Sequence, residues 1–211
     1  PVDYDRALIG AYDLLQSSFI TVWIGEIASD NSIAGGESVT DTEGLHEIDN
    51  MTQDAVNNEI RSVFRWNYAG ITRVNYLLEN KNKIDFEGKD KIIAQAYFLR
   101  AYYYFELVKY FGDVPLVVDR RLGADEVTKL TRTPKGEVYA QIEIDLKNAE
   151  AVLDWSAAQK GRITKGACLS LLGKVLLYQN KFTEAATALD RVISENQYQL
   201  IDDLHQHQQL Y

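Results

Sequence analysis

A long polar stretch at residues 29–50 lies in a part of the chain that carries acidic side chains and no basic one. Between Ala7 and Ile60 there is no Lys or Arg, whereas ten acidic residues occur. Carboxylates accept hydrogen bonds, and amides both accept and donate them, so such a surface suits a neutral ligand rich in hydroxyl groups. The acidic residues are Asp13, Glu26, Asp30, Glu37, Asp41, Glu43, Glu47, Asp49, Asp54 and Glu59.

Four residues of this stretch are the candidate ligand contacts. They are chosen for their polarity and their position, since no binding motif can be aligned with them. Compact domains seldom keep a loop of about 20 residues that has no function, which supports a role for this one. The candidates are Asp30, Asn31, Glu43 and His46.

Two other interpretations of residues 29–50 remain open. The acidic side chains could belong to a solvated loop beside helix ends, with no ligand at all. Alternatively, the loop could bind calcium, because Asp30, Ser32, Gly35 and Asp41 lie near the spacing of a calcium-binding loop. Oxygen ligands are missing at key offsets of that spacing, however.

The sequence contains no recognisable catalytic motif, so we predict no catalytic residue, no metal and no cofactor, and a protein that is not an enzyme. A Gly-x-Ser-x-Gly elbow, a phosphate-binding glycine loop, a His-Glu-x-x-His motif and a cysteine cluster are all absent. The single cysteine, Cys168, lies in an apolar helical stretch and is interpreted as a small core residue. His205 and His207 lie in a Gln-rich tail, which favours a solvated pair over a metal site.

Composition and charge narrow the class of protein further. The chain has 211 residues, of which 46 % are hydrophobic and 25 % charged, as in an ordinary soluble domain. The net charge of −9 argues against nucleic acid as a partner, because phosphates would be repelled. No apolar run approaches about 18 residues, so no membrane-spanning segment is predicted. The chain begins at Pro1 without Met, and we expect a piece of a longer protein.

The hydrophobic periodicity predicts a single all-α domain over residues 1–211, with six helices and one long irregular loop. The loop is the stretch at residues 29–50, which follows the first helix and has no helical period. A polar tail is predicted at residues 197–211. The first three helices are predicted at residues 3–16, 52–80 and 88–111. The fourth is predicted to begin at Thr133 and Pro134, the fifth to be capped by Thr164 and the sixth to end near Asn196.

Residues 167–193 predict a tetratricopeptide-like (TPR-like) hairpin of two antiparallel helices. Leu172 and Gly173 form the leucine–small pair of that repeat, and Phe182 is the aromatic residue after the reversal. Gly173 and Ala185 are predicted to be structural, because two helices approach closely only where side chains are small. Such hairpins usually form interaction scaffolds, so this motif indicates binding rather than catalysis.

The third predicted helix is the most aromatic part of the chain, with eight aromatic residues among the fifteen from Tyr97 to Phe111. They fall on several sides of the helix, which predicts burial on more than one face. Arg100 lies among them and is predicted to be structural, because a buried guanidinium needs a partner. Gly112 is predicted to end the helix, and Pro115 to prevent its continuation.

Four segments resemble the SusD/RagB family of outer-membrane nutrient-binding proteins. The resemblance covers nearly the whole chain, and its specificity comes from the order and spacing of the segments rather than from any one of them. The segments are RWNYAGITRVNYLLEN at 65–80, AQAYFLRAYYYFELVKYFGDVPLV at 94–117, RTPKGEVYAQIEIDLKNAEAVL at 132–153 and GRITKGACLSLLGKVLLYQNKFTEAATALDRVI at 161–193.

This resemblance implies a function. Proteins of the family are lipidated on the outer membrane of Bacteroidetes-type bacteria, cap a SusC-like TonB-dependent transporter and hand it oligosaccharides or other nutrients. Their TPR-like half is a scaffold that faces the transporter, and their ligand contacts come from loops. We therefore expect a non-catalytic nutrient-binding component and cell-surface lipoprotein whose lipid anchor is absent from this chain. Because family members are usually much longer, we expect weak, millimolar binding or none from this piece.

The alternative function is that of a cytosolic TPR-type adaptor, which binds a peptide of another protein in its groove. A groove that clamps the carboxylate terminus of a peptide needs a cluster of Lys, Arg and Asn side chains. The sequence contains no evident cluster of this kind, which favours nutrient binding.

Overall fold

The computed structural model describes residues 1–38, 40–118 and 120–199, and within these ranges the fold is all-α, as predicted. No strand occurs there, and the β-type pairing is an isolated antiparallel bridge between Val114 and Thr133. His205 and His207 lie outside the described residues, as does most of the tail predicted at residues 197–211.

Nine α-helices and one 3-10 helix follow one another along the described residues. In chain order they are α1 (Val2–Tyr12), the 3-10 helix (Asp13–Ser17), α2 (Ser18–Ile27), α3 (Glu43–Asp49), α4 (Asn58–Glu79), α5 (Lys89–Phe111), α6 (Ala124–Val127), α7 (Lys135–Val152), α8 (Lys165–Leu177) and α9 (Phe182–Ser194).

Helices α2 and α3 correct the sequence prediction. α2 follows the first predicted helix where none was predicted, and α3 lies inside the stretch at residues 29–50 that was predicted to be an irregular loop. Both are short, and short helices gain most of their stability from tertiary packing rather than from propensity. Ile20 and Ile24 of α2 and Ile48 of α3 pack against Val63 of α4 in a small separate core. Neither helix has a period long enough to be detected without that contact.

The start of α4 is also corrected, because this helix begins at Asn58 and not near residue 52. The Asn57 side chain accepts hydrogen bonds from the backbone N–H groups of Glu59 and Ile60, which would otherwise lack partners at the helix end. The cap therefore fixes the first turn six residues later than the apolar pattern indicates.

The start of α7 differs from the prediction by one residue. Pro134 has a ψ angle of 136°, outside the helical range, and is the cap itself, whereas Thr133 was predicted as the cap and Pro134 as the first helical residue. The N–H of Lys135 donates to Asp113 Oδ1 at 2.8 Å, so the side chain that satisfies the helix end comes from the segment after α5. A partner so distant in sequence could not be recognised from local pattern.

Helix α5 lies at the centre of the fold and packs against α1, α4, α7 and α8. Its side chains are buried on several sides, as predicted; the largest are Tyr103, Tyr104 and Phe105. Gly112 follows the last turn with a φ of 64°, a conformation that side chains other than glycine rarely adopt. The chain then continues through Pro115 as an extended segment.

Helices α8 and α9 form the predicted TPR-like hairpin, with Gly173 and Ala185 both buried between them. A Cβ atom at Gly173 would lie only 2.6 Å from Cγ of Leu189, so the close neighbour of Gly173 is Leu189 of α9. Cys168 is buried in α8, and burial raises the pKa of its thiol to about 12. This environment agrees with a core residue and not with a reactive thiol.

The first 27 residues form an apolar helical stretch. No membrane-spanning segment was predicted, and the stretch Val2–Ile27 is long and apolar enough to cross a membrane by length and composition only. This is weak evidence for a membrane span, because a core helix of a soluble protein meets the same description. Leu8, Ala11 and Leu14 of this stretch pack into the main hydrophobic core.

A buried ion pair connects the central helices. The side chain of Arg100 on α5 is only 4 % exposed, and it donates from Nε and Nη2 to the two carboxylate oxygens of Asp145 on α7, at 2.7 and 2.8 Å. Its Nη1 donates to Asn75 Oδ1 of α4 at 3.2 Å and to the carbonyl of Val118. Burial alone would lower the pKa of the guanidinium, but the hydrogen bonds and charge of Asp145 raise it, so Arg100 remains protonated.

We expect Arg100→Met to lower the free energy of unfolding by about 3–5 kcal/mol, because it leaves the Asp145 carboxylate buried without its partner. Denaturant unfolding measures the loss, and Arg6→Met at an exposed site on α1 is the matched control. The double variant Arg100→Met/Asp145→Leu should recover much of the stability, since it removes both charges. A stable Arg100→Met protein that has lost ligand affinity would instead place Arg100 in a binding site.

We expect Gly173→Leu to lower the free energy of unfolding by about 1–3 kcal/mol, because the new side chain must displace Leu189 and separate α8 from α9. Gly136→Leu is the control, since Gly136 on α7 is exposed and a Cβ there meets no atom within 4 Å. Equal unfolding midpoints for the two variants would contradict close packing at Gly173.

Candidate ligand-binding site

The connection between α2 and α4 is held in shape by its own acidic side chains. Asp41 Oδ2 accepts hydrogen bonds from the backbone N–H groups of Glu37 and Ser38, at 2.7 and 3.3 Å. Asp49 Oδ2 at the end of α3 accepts one from the N–H of Ala34 at 3.0 Å, which ties the first half of the connection to the helix. These carboxylates therefore stabilise the conformation of the loop.

Asn57 is the anchor that joins α3 to α4. It is 4 % exposed, and while its Oδ1 caps α4, its Nδ2 donates to the carbonyl of Gly44 at 2.9 Å and to Glu47 Oε2 at 2.6 Å. One buried amide thus uses both its donor and its acceptor groups to fix the helix that carries two of the candidate residues.

The four candidate residues differ from the loop-forming acids in having unused polar groups. Asp30 and Asn31 are exposed in the turn after α2, Glu43 is exposed in the first turn of α3, and His46 lies half-buried one turn later. Within the described residues none of the four side chains forms a hydrogen bond or ion pair, and Nε2 of His46 is buried without a partner. The polar groups of Asp30, Asn31 and Glu43 are therefore accessible to a ligand, whereas Nε2 of His46 is shielded from solvent.

The structure brings two of these candidates together and leaves the other two apart. Glu43 and His46 are three residues apart on α3, so their side chains share one face of that helix. Asp30 and Asn31 belong to a separate turn, connected to α3 through the hydrogen bond between Ala34 and Asp49.

Calcium binding in this loop gains no support. The carboxylate of Asp41, one of the proposed ligands, already accepts two backbone hydrogen bonds. Across the described ranges there is no group of three or more His, Cys, Asp or Glu side chains that could hold a metal ion.

Two exposed aromatic residues on α2, the helix that precedes the loop, were not predicted as part of the site. Phe19 and Trp23 on α2 lie four residues apart, are each about half exposed, and pack edge to face with ring centroids 5.1 Å apart. Aromatic rings beside polar groups provide the mixed surface on which ligands with both apolar and hydroxyl groups bind. The i, i+4 spacing was visible in the sequence, but its meaning depended on recognising α2 as a helix.

The fold defines a class of protein, namely an all-α scaffold of TPR-like hairpins with a polar loop on one side. The chain belongs to the SusD-like family, which is described as starch-binding and associating with the outer membrane; the family match covers residues 6–177.

Individual relatives agree with this assignment. A laminarin-binding SusD-like protein of known structure is 33 % identical and has a TM-score of 0.90, with 96 % of this chain and 47 % of that chain covered. Surface glycan-binding protein A from Bacteroides uniformis is 26 % identical with a TM-score of 0.82, covering 95 % of this chain and 47 % of that one. SusD-like protein P2 from Formosa agariphila is 32 % identical over 150 residues, which are 70 % of this chain and 30 % of the relative.

These comparisons confirm the family and the TPR-like scaffold inferred from the sequence. The chain spans less than half the length of each of the three proteins. The activity, ligand and partners of the whole protein are therefore matters for proposal.

We expect Asn57→Ala to lower the free energy of unfolding by about 1–2 kcal/mol, because it removes the cap of α4 and the hydrogen bonds to Gly44 and Glu47. Amide hydrogen exchange in α3 should accelerate at the same time. Asn58→Ala is the control, since the Asn58 side chain makes only an exposed hydrogen bond with Arg61. Unchanged exchange in α3 would show that Asn57 does not hold that helix.

Proposed function

We propose that this chain is part of a non-catalytic, oligosaccharide-binding component of an outer-membrane nutrient-uptake system. The observation that carries the proposal is its similarity to a laminarin-binding SusD-like protein, with a TM-score of 0.90 over 96 % of this chain. The family description, starch-binding and associating with the outer membrane, supports the same class of ligand and the same compartment.

The ligand-side element in this proposal is the connection between α2 and α4, including the stretch at residues 29–50. This assignment is supported by the different hydrogen bonding of the polar side chains in the connection. Asp41 and Asp49 accept backbone hydrogen bonds and Glu47 accepts one from the Asn57 side chain. The side chains of Asp30, Asn31, Glu43 and His46 form no hydrogen bond within the described residues. Sugar hydroxyls both donate and accept hydrogen bonds, so carboxylate, amide and imidazole groups can all serve as partners.

The finer parts of the proposal concern anchoring and partner. We propose a surface lipoprotein that docks on a SusC-like TonB-dependent transporter through its TPR-like face. Family membership and the hairpin scaffold support this arrangement, because exposed faces of helical repeats are common sites of protein–protein contact. Membership of the family also favours this role over that of a cytosolic TPR-type adaptor.

We expect single alanine substitutions at Asp30, Asn31, Glu43 and His46 each to weaken oligosaccharide binding by roughly fivefold to tenfold, since each removes about one hydrogen bond. Titration calorimetry with laminarihexaose and a panel of other neutral oligosaccharides measures this. Unfolding midpoints should stay unchanged, and Glu184→Ala on the exposed face of α9 is the control.

Two results would contradict the proposal in different ways. Binding that survives replacement of all four residues would move the site away from the loop. Absence of binding to every oligosaccharide by the full-length protein would remove the proposed function itself.

A further inference from the structure

A cavity of about 570 Å³ opens between α4 and the segment that follows α5. We call it the α4 groove and define it by Phe64, Arg65, Tyr68 and Thr72 on α4 and by Val127 and Leu130 on the opposite side. Its volume lies within the range of about 300–1,000 Å³ that is typical of small-molecule sites. The groove contains none of the four candidate residues of the loop between α2 and α4.

One wall of the α4 groove is fixed before any ligand arrives. The hydroxyl of Tyr68 donates to the carbonyl of Pro115 at 2.7 Å, and Asn75 Nδ2 donates to the carbonyl of Val117 at 2.9 Å. The hydroxyl of Tyr104 accepts from the N–H of Val117 at 2.7 Å. Burial raises the pKa of Tyr68 and that of Tyr104, the latter to about 12. Both hydroxyls therefore stay protonated, and the hydrogen bonds that hold the wall are kept.

Aromatic rings line the groove along α4. Phe64 is 37 % exposed, and its ring centroid lies 4.6 Å from that of Tyr68 and 5.3 Å from that of Phe111. Phe64 and Tyr68 are about one helical turn apart, and their rings pack against each other at an interplanar angle of 45°. The exposed part of this aromatic pair can contact the apolar C–H face of a sugar ring.

Among the described residues, three arginines line the α4 groove, at positions 65, 120 and 121, although the chain as a whole carries a net charge of −9. Arg120 pairs with Glu126, and Arg121 pairs with Glu79. Arg120, Arg121 and Glu126 are about half exposed and Glu79 is 22 % exposed, and the two acids balance the charges of these two arginines. Arg65 forms no ion pair within the described residues.

We propose that the α4 groove binds an oligosaccharide that carries carboxylate or sulfate groups. Phe64 and Tyr68 contact its sugar rings, and the Arg65 guanidinium donates hydrogen bonds to the anionic group, for which its planar fork is suited. The inference rests on the proposed oligosaccharide-binding function but assigns a different place and a charged ligand class. A neutral ligand would leave the Arg65 guanidinium, which forms no ion pair among the described residues, without a matching group.

The test compares three hexasaccharides in titrations of the full-length protein: laminarihexaose, a hexauronate and a sulfated hexasaccharide. We expect an anionic ligand to bind more tightly in low salt than in high salt, because the contact is partly electrostatic. Arg65→Gln should raise the Kd of that ligand by about tenfold and leave the Kd of laminarihexaose within about twofold. Arg6→Gln on α1 is the matched control and should change neither value.

The outcomes separate this inference from the proposed function. An anionic hexasaccharide whose affinity depends on Arg65 supports the inference, and the comparison of uronate with sulfate identifies the anionic group. Binding of laminarihexaose alone, or binding of the anionic ligands that is insensitive to Arg65→Gln, would overturn the α4 groove as their site while the proposed function stands. Failure of all three ligands to bind would overturn the inference and count against the proposed function as well.

Discussion

The buried contact between Arg100 and Asp145 is the interaction on which the rest of the scaffold depends. Both charges are almost fully removed from water, and such a pair is tolerable only when every donor and acceptor finds a partner. The partners here come from α4, α7 and the segment after α5, through Asn75, Gln141 and the carbonyl of Val118. Satisfying one guanidinium therefore fixes the relative positions of three helices and one extended segment.

Two candidate binding surfaces are arranged on this frame by different means. The α4 groove depends directly on it, because the wall formed by Pro115 and Val117 continues from the Arg100 contact at Val118. The loop between α2 and α4 is fixed more locally, by Asn57 and by acidic side chains that accept hydrogen bonds from backbone N–H groups of the same loop. A rigid wall favours tight recognition of one ligand shape, since less ordering is needed on binding. A loop held by single side chains can adjust to its ligand at smaller cost.

The sequence indicated the parts of the fold whose signals are local. The TPR-like hairpin followed from Gly173, Phe182 and Ala185, and burial of the central helix followed from its aromatic residues. Even so, the residue that requires glycine at position 173 is Leu189 and not Ala185, because the contact depends on the angle between the helices. The four loop candidates were selected for polarity and position. Only the structure separates them from the acids that hold the loop, because their own side chains form no hydrogen bond among the described residues.

By itself the sequence determined the all-α class, the hairpin scaffold, the structural role expected of Arg100 and the family resemblance, because these depend on periodicity and on the order of segments along the chain. The tertiary structure decided where α2 and α3 form, which carboxylates are occupied, what Arg100 contacts and where the α4 groove lies. Each of these depends on atoms distant in sequence. The short helices are stabilised by a shared core around Val63. One wall of the groove is held by hydrogen bonds from Tyr68 and Asn75 to residues more than 40 positions further along the chain, and by one between Tyr104 and a residue 13 positions further along. Local pattern carries no information about such pairings, since side-chain hydrogen bonds of this kind follow no sequence period.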